Sequence, residues 1–210
     1  MITTSALRRM AKAGDADAQF RLGYRIALGR KRPRPTRWKD SIALWQKAAV
    51  QGHVRAMYFL AVCHDCGYGV PQDYKLAMKW YKKAAQAGDE VAQYNLSLSY
   101  RFGEGVAKSK PKMVYWLRRS AQAGYPDAMR DLGFCLHEGF GTPKDYAGAV
   151  YWYRRAAKAG DRIAQFNLGL CYLDGDGVSR SRRWARYWLG QASDNGHRKA
   201  RRLLNKIKQR

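Results

Sequence analysis

Glycine returns through this chain at a fixed interval, and that interval decides what it can fold into. Gly52, Gly88, Gly124, Gly160 and Gly196 stand 36 residues apart, and Gly14 precedes Gly52 by 38. Four residues past each of these anchors comes alanine: Ala18, Ala56, Ala92, Ala128, Ala164 and Ala200. Eight past comes leucine: Leu22, Leu60, Leu96, Leu132, Leu168 and Leu204. Nine past, a small residue follows at Gly23, Ala61, Ser97, Gly133 and Gly169. Eight before the anchor stands Trp80, Trp116, Trp152 or Trp188; in the first unit Leu44 takes that slot with Trp45 beside it. A register kept across so many positions marks a repeat array, in which each unit packs mainly on its neighbours.

The apolar slots at four, eight, eleven and twelve past the anchor follow helical spacing. They predict a first helix per unit (helix A) over 16–28, 54–66, 90–102, 126–138 and 162–174. A Gly-x-Gly pair follows it at Gly67/Gly69, Gly103/Gly105, Gly139/Gly141 and Gly175/Gly177. Glycine just past a helix end suits the left-handed cap. A second helix (helix B) is expected to begin at Asp73, Ser109, Asp145 and Ser181, whose side chains can accept from the free N–H groups of its first turn. Thr36 is the nearest equivalent in the first unit. Helix B then runs about 13 residues to the next anchor. No unit can bury its apolar face alone, so stacked units must share a continuous core. A last helix near 198–208 carries Arg201, Arg202 and Lys206 in place of apolar residues, the polar outer face expected of a terminal cap.

These residues resemble the Sel1-like repeat family, a relative of the tetratricopeptide repeats. The resemblance is carried by the run from Asp73-Tyr74 through Ala77, Trp80-Tyr81, Ala84-Ala85 and Gly88 to Ala92-Gln93-Tyr94-Asn95-Leu96. It recurs from Asp145-Tyr146 through Trp152-Tyr153 to Ala164-Gln165-Phe166-Asn167-Leu168-Gly169. The first unit departs, with Arg30-Lys31-Arg32-Pro33-Arg34-Pro35 in place of the Gly-x-Gly-Val turn. The resemblance implies an all-α, right-handed α/α superhelical solenoid, one domain over 1–210. Its repeats would span approximately 11–47, 48–83, 84–119, 120–155 and 156–191, with a C-terminal cap over 192–210. It also implies a non-catalytic scaffold or adaptor that holds a peptide or partner protein on the concave face of the A helices. No cofactor and no metal are implied.

Helix geometry points to the residues of that groove. If slots four, eight, eleven and twelve face the core, slots three, six, ten, thirteen and fourteen form another face. That face carries Phe20, Tyr58, Tyr94, Arg130, Phe166 and Arg202 at slot six, and Tyr24, Val62, Leu98, Phe134 and Leu170 at slot ten. Slot thirteen adds Asp65, Arg101 and His137. The expected groove is therefore Tyr24, Tyr58, Val62, Tyr94, Leu98, Arg101, Arg130, Phe134, His137, Phe166 and Leu170. Aromatic and Arg side chains are common interface anchors, and such a row suits an amphipathic or acidic-hydrophobic segment. The alternative is that slots six and ten pack on the next A helix.

Charge supplies a second reading. Lys and Arg number 40 against 16 Asp and Glu, a formal net charge of +24, which draws anionic partners. The basic pairs Lys82-Lys83, Arg118-Arg119 and Arg154-Arg155 recur on helix B and read as a solvated outer face. The clusters at the two ends are less generic. Arg30, Lys31 and Arg32 belong to one, and Arg180, Arg182, Arg183, Arg201 and Arg202 to the other. Both are electrostatic footprints for a polyanion such as nucleic acid.

Other chemistry finds little support. Cys63, Cys135 and Cys171 share slot eleven and read as small buried residues. Cys63-His64-Asp65-Cys66 lacks the second ligand pair that structural zinc requires. Asp174-Gly175-Asp176-Gly177 opens like a calcium loop, but its twelfth position is Ala185 rather than a bidentate Glu. Ser109-Lys110-Pro111-Lys112 fits S-x-x-K, yet Ser109 is already explained as a cap. His53 and His197 sit at helix starts, where an exposed role is expected. No secretory signal and no run of 18 apolar residues appear, so the expected location is the cytoplasm.

Overall fold

A computed structural model describes residues 2–29 and 35–208, with the side chains of 35–37 and 208 left aside. Among the described residues every regular element is a helix, and the chain is an all-α helical repeat protein. The helices are α1 (Thr4–Lys12), α2 (Ala16–Leu28), α3 (Pro35–Val50), α4 (Val54–Cys66), α5 (Tyr74–Gln86), α6 (Glu90–Phe102), α7 (Lys110–Gln122), α8 (Pro126–Glu138), α9 (Tyr146–Lys158), α10 (Arg162–Asp174), α11 (Arg182–Asp194) and α12 (Arg198–Lys208). They divide into two compact units, residues 1–108 and 109–210. None is long and apolar enough to cross a membrane.

The five A helices occupy the spans expected from their periodicity, because both ends are written locally. Gly67, Gly103, Gly139 and Gly175 close four of them in the left-handed conformation, whereas α2 ends at Gly29 with φ −74. The B helices start where their caps predict. Asp73 Oδ1 accepts from the Leu76 N–H at 3.0 Å, Asp145 Oδ1 from Gly148 at 2.8 Å and Ser181 Oγ from Trp184 at 3.3 Å. Thr36 behaves differently: α3 already begins at Pro35, so Thr36 lies inside the helix. The helix α1 carries no anchor-and-tryptophan signature. It forms around buried Leu7 and Ala11, with Thr3 Oγ1 accepting from the Ala6 N–H.

The alanine and leucine slots are buried in all five full units, and slot nine is buried in each. The smallness of slot nine lets helix B come close. A Cβ on Gly169 would sit 2.8 Å from Leu189 Cγ, and one on Gly133 would sit 2.7 Å from the Tyr153 ring. In the first unit the core closes on Trp45, fully buried with its Nε1 donating to the Phe20 carbonyl at 3.2 Å. In the second unit Leu189, Ala192 and Ala200 form a cluster with Phe166, Leu203 and Leu204 against it.

Slot five supplies a device that the apolar periodicity did not reveal. Gln19, Gln93 and Gln165 are buried there, and each Nε2 donates to an alanine carbonyl at the end of the preceding B-type helix. The partners are Ala11 at 3.2 Å, Ala85 at 3.0 Å and Ala157 at 3.1 Å. Each bond gives a second donor to a carbonyl that also accepts from the anchor glycine N–H of Gly14, Gly88 or Gly160, and so ties the two helices together. Gln165 also accepts from Asn195 Nδ2 at 2.9 Å. Gln165→Ala is expected to cost about 1–2 kcal/mol, the loss of its hydrogen bonds to the Ala157 carbonyl and from Asn195. Urea denaturation followed by far-UV circular dichroism measures it.

Candidate interaction surface

The residues expected to line the A-helix face separate by slot. At slot ten, Tyr24 and Phe134 are 44 % and 43 % exposed, while Val62, Leu98 and Leu170 are half-buried. Arg101 is exposed. At slot six, Tyr58, Tyr94, Arg130 and Phe166 are half-buried.

The slot-six side chains lean toward the N-cap of the following A helix, and the two positions match in chemistry. Phe20 stacks on His53 at 4.6 Å between ring centroids, and Phe166 stacks on His197 at 4.4 Å. Arg130 reaches Asp161 at 2.9 Å, together with Asp127 at 2.5 Å and Asp131 at 2.9 Å. Burial opposes the charged guanidinium, but the carboxylates outweigh it and raise the Arg130 pKa. Tyr58 faces Asp89, and burial followed by that carboxylate pushes its phenol up. The alternative weighed from the sequence, that slot six packs on the next helix, describes these four residues. Slot ten leaves its aromatic rings accessible.

The histidines of these pairs are caps. His53 Nδ1 accepts from the Ala56 N–H at 3.2 Å and His197 Nδ1 from Ala200 at 3.1 Å, a bond only the neutral ring can make. Burial, then Arg162 and Lys199, lower the His197 pKa from 6.5, while Asp161 opposes them. The folded state thus binds this proton less readily than the unfolded chain. Its contribution to stability is complete above pH 6.5 and is lost as pH falls from there through the lowered value. The melting temperature of the second unit is expected to fall over that window. His197→Asn, which keeps a cap without titrating, should flatten the drop. An unchanged pH profile in the variant would count against this cap as its source.

The first unit holds a cavity of about 880 Å³ between α1, α2 and α4. Ile2, Leu7, Phe20, Tyr24 and Leu28 form its apolar lining, and Arg21, Arg25, Gly29 and Arg55 complete it. Tyr24 packs edge-on to Phe59 at 5.5 Å. Arg25 donates to the Ile2 carbonyl at 3.3 Å and to Thr4 Oγ1 at 3.0 Å, and Arg21 pairs with Asp17 at 2.7 Å. Phe20 and Tyr24 at slots six and ten, Leu28 at slot fourteen and Arg55 at slot three lie on the face picked out by periodicity. Ile2, Leu7, Arg21, Arg25 and Gly29 lie outside it, and the repeat gave no sign of them.

In the second unit His137 bridges Glu138 at 2.8 Å and Asp176 at 3.2 Å, with Tyr146 edge-on at 5.1 Å. It therefore fastens its helix to the following turn. The basic pairs of helix B rest partly on tryptophan: Lys83 lies 4.7 Å over Trp80, Arg119 5.7 Å over Trp116 and Arg155 5.2 Å over Trp152. Arg180, Arg182, Arg183, Arg201 and Arg202 are exposed. Arg30, Lys31 and Arg32 lie outside the described residues.

None of the four cysteines forms a disulfide, and Cys63, Cys135 and Cys171 are buried. Burial pushes the thiols of Cys63 and Cys171 up to about 12, far from the range of a thiolate nucleophile. Among the described residues no three His, Cys, Asp or Glu side chains gather in a way that could hold a metal ion.

The Sel1 repeat family model matches residues 16–53, 54–89, 91–125, 126–161 and 162–197. A crystal structure of a Sel1 repeat protein from Oxalobacter formigenes aligns with a TM-score of 0.87 at 31 % identity, over 97 % of this chain and 58 % of the other. A protective antigen present in uropathogenic Escherichia coli strains, which displays an SLR fold, aligns at 0.68 and 30 % identity, over 99 % of this chain and 52 % of the other. An immunity protein from Pseudomonas aeruginosa aligns at 0.52 and 24 % identity, over 88 % and 67 %, a likeness of fold alone. The chain thus spans little more than half the length of the first two structures. No curated protein matches the sequence significantly.

Proposed function

The chain belongs to the Sel1 repeat family, and from that premise we propose that it is a non-catalytic adaptor holding a peptide segment of a partner protein on its A-helix face. Proteins of this family are generally protein–protein interaction modules. The observation that carries the reading is the cavity in the first unit, where exposed Tyr24 and Leu28 stand beside Arg21, Arg25 and Arg55. Such a site accepts an apolar side chain and answers an acidic neighbour with charge. Phe134, exposed at the same slot in the second unit, provides a further anchor. The cytoplasmic location expected from the sequence belongs to this reading, in keeping with four cysteines that form no disulfide.

Tyr24→Ala combined with Phe134→Ala is expected to abolish recovery of the specific partner in affinity purification from the native cell. Far-UV circular dichroism should stay unchanged, because both side chains are substantially exposed. The test is run with and without nuclease. A partner set that both survives the substitutions and vanishes with nuclease would replace the adaptor reading with that of a polyanion-binding repeat protein.

A further inference from the structure

The second unit contains a cavity of its own, lined by cations and aliphatic side chains. In this unit the turn after one A helix crosses the first turn of an earlier B helix. Gly141 lies against the Lys110 backbone at the start of α7, and Gly177 against the Tyr146 backbone at the start of α9. Arg182, first residue of α11, occupies the slot that Lys110 and Tyr146 fill. It lines a cavity of about 880 Å³ instead. Arg180 and Lys206 join it there, and Leu203, Ile207 and Tyr172 supply apolar surface.

The cavity is cationic by construction. Residues 180–208 hold ten Lys or Arg and one acid, Asp194. Arg180 Nε donates to the Asp174 carbonyl at 2.9 Å, which ties the arm at its base. Of the nearby acids, Asp176 is already engaged with His137 at 3.2 Å. The apolar side is mainly aliphatic. The aromatic ring present, Tyr172, is committed on one face to Trp184 at 6.2 Å, and its hydroxyl accepts from Arg154 at 3.1 Å. Bases need open aromatic faces to stack on. A leucine-like side chain needs only a dry aliphatic wall, and a carboxylate beside it meets three cations.

We propose that this cavity is a second docking site, for an acidic linear segment of a partner protein that carries an aliphatic side chain next to its carboxylates. The site shares no lining residue with the first-unit cavity, does not include Phe134, and does not depend on the adaptor reading built on them.

The test is fluorescence anisotropy with a dye-labelled synthetic peptide of alternating Asp or Glu and Leu. Its controls are the same peptide with Asn and Gln, and a labelled oligouridylate of equal charge. The acidic peptide is expected to bind, and Arg182→Glu with Lys206→Glu to weaken it at least about tenfold, two charge-assisted contacts having been reversed. Arg183→Glu with Lys199→Glu makes the same change in net charge on exposed positions outside the cavity and is expected to cost less than about threefold, a screened long-range effect. Leu203→Asn should weaken the peptide as well. All these residues are at least partly exposed, and circular dichroism confirms that each variant folds. Tyr24→Ala with Phe134→Ala should leave this binding intact, so failure of either site is read separately. Equal binding of the neutral peptide, equal loss in the two double-Glu variants, or tighter binding of the oligouridylate at the same salt would each overturn the proposal.

Discussion

Gly177→Ala is expected to destabilise the second unit by about 3 kcal/mol or more, a large loss for a single methyl group. Two costs add. Gly177 has φ +70, in the left-handed region where a Cβ is strained by about 1–2 kcal/mol. The new methyl would also press into the Tyr146 carbonyl and its carbon, which are backbone and cannot swing aside. Relieving that contact means lifting the turn off α9, and adjacent repeats are held together only by such nearest-neighbour surfaces. Gly160→Ala separates the two costs. Gly160 has φ +93, but an added Cβ meets nothing within 4 Å. That variant should pay only the conformational penalty, about 1–2 kcal/mol. Paired urea titrations measure both. If the two variants lose the same stability, the close approach at Tyr146 contributes nothing.

The contrast between these glycines mirrors what the sequence discloses and what it withholds. Helix ends were legible because their determinants are local: Asp73, Asp145 and Ser181 cap the helices that start beside them, and Gly103 or Gly175 closes the helix just before it. The core was legible at slots four, eight and nine because the period repeats the same burial in each unit. The glutamines of slot five recur in alternate units, at Gln19, Gln93 and Gln165 with Met57 and Met129 between them, and an apolar template passes over a polar residue even when it is buried. The helix α1 escaped because it carries neither a tryptophan nor an anchor before it. The cavities escaped for a different reason. Ile2 precedes the first anchor, and the rest of each lining mixes slots that periodicity assigns to different faces, Leu28 at fourteen and Ile207 at eleven among them, so no single row of the repeat marks a cavity. The basic pairs on helix B read as solvated, and the cationic groups of Lys83, Arg119 and Arg155 lying over Trp80, Trp116 and Trp152 needed coordinates to be seen. Slot six stood between face and packing. Only the neighbouring cap decides it, one repeat further along the chain.

Arg130→Ala tests that decision and is expected to cost about 2–3 kcal/mol. Arg130 stands among Asp127, Asp131 and Asp161, and its side chain is only 17 % exposed. Removing the cation from a buried pair costs about 3–5 kcal/mol because carboxylates are left facing one another, and the partial exposure here lowers that figure. Asp161 also caps α10, accepting from the Ala164 N–H at 2.7 Å, so the strain falls on a helix start. The chain itself contains the replacement chemistry, since Phe20 meets His53 and Phe166 meets His197 in the same two slots. Arg130→Phe alone should destabilise, leaving Asp161 beside an apolar ring. Arg130→Phe with Asp161→His should recover at least about 1 kcal/mol of that loss, the coupling expected of residues in contact, because the new histidine both stacks and caps. Additive losses in the double variant would show that slot six and the following cap are independent. Arg130 would then be free to act as the interface anchor its position first suggested, and Arg130→Ala should weaken partner binding without lowering stability.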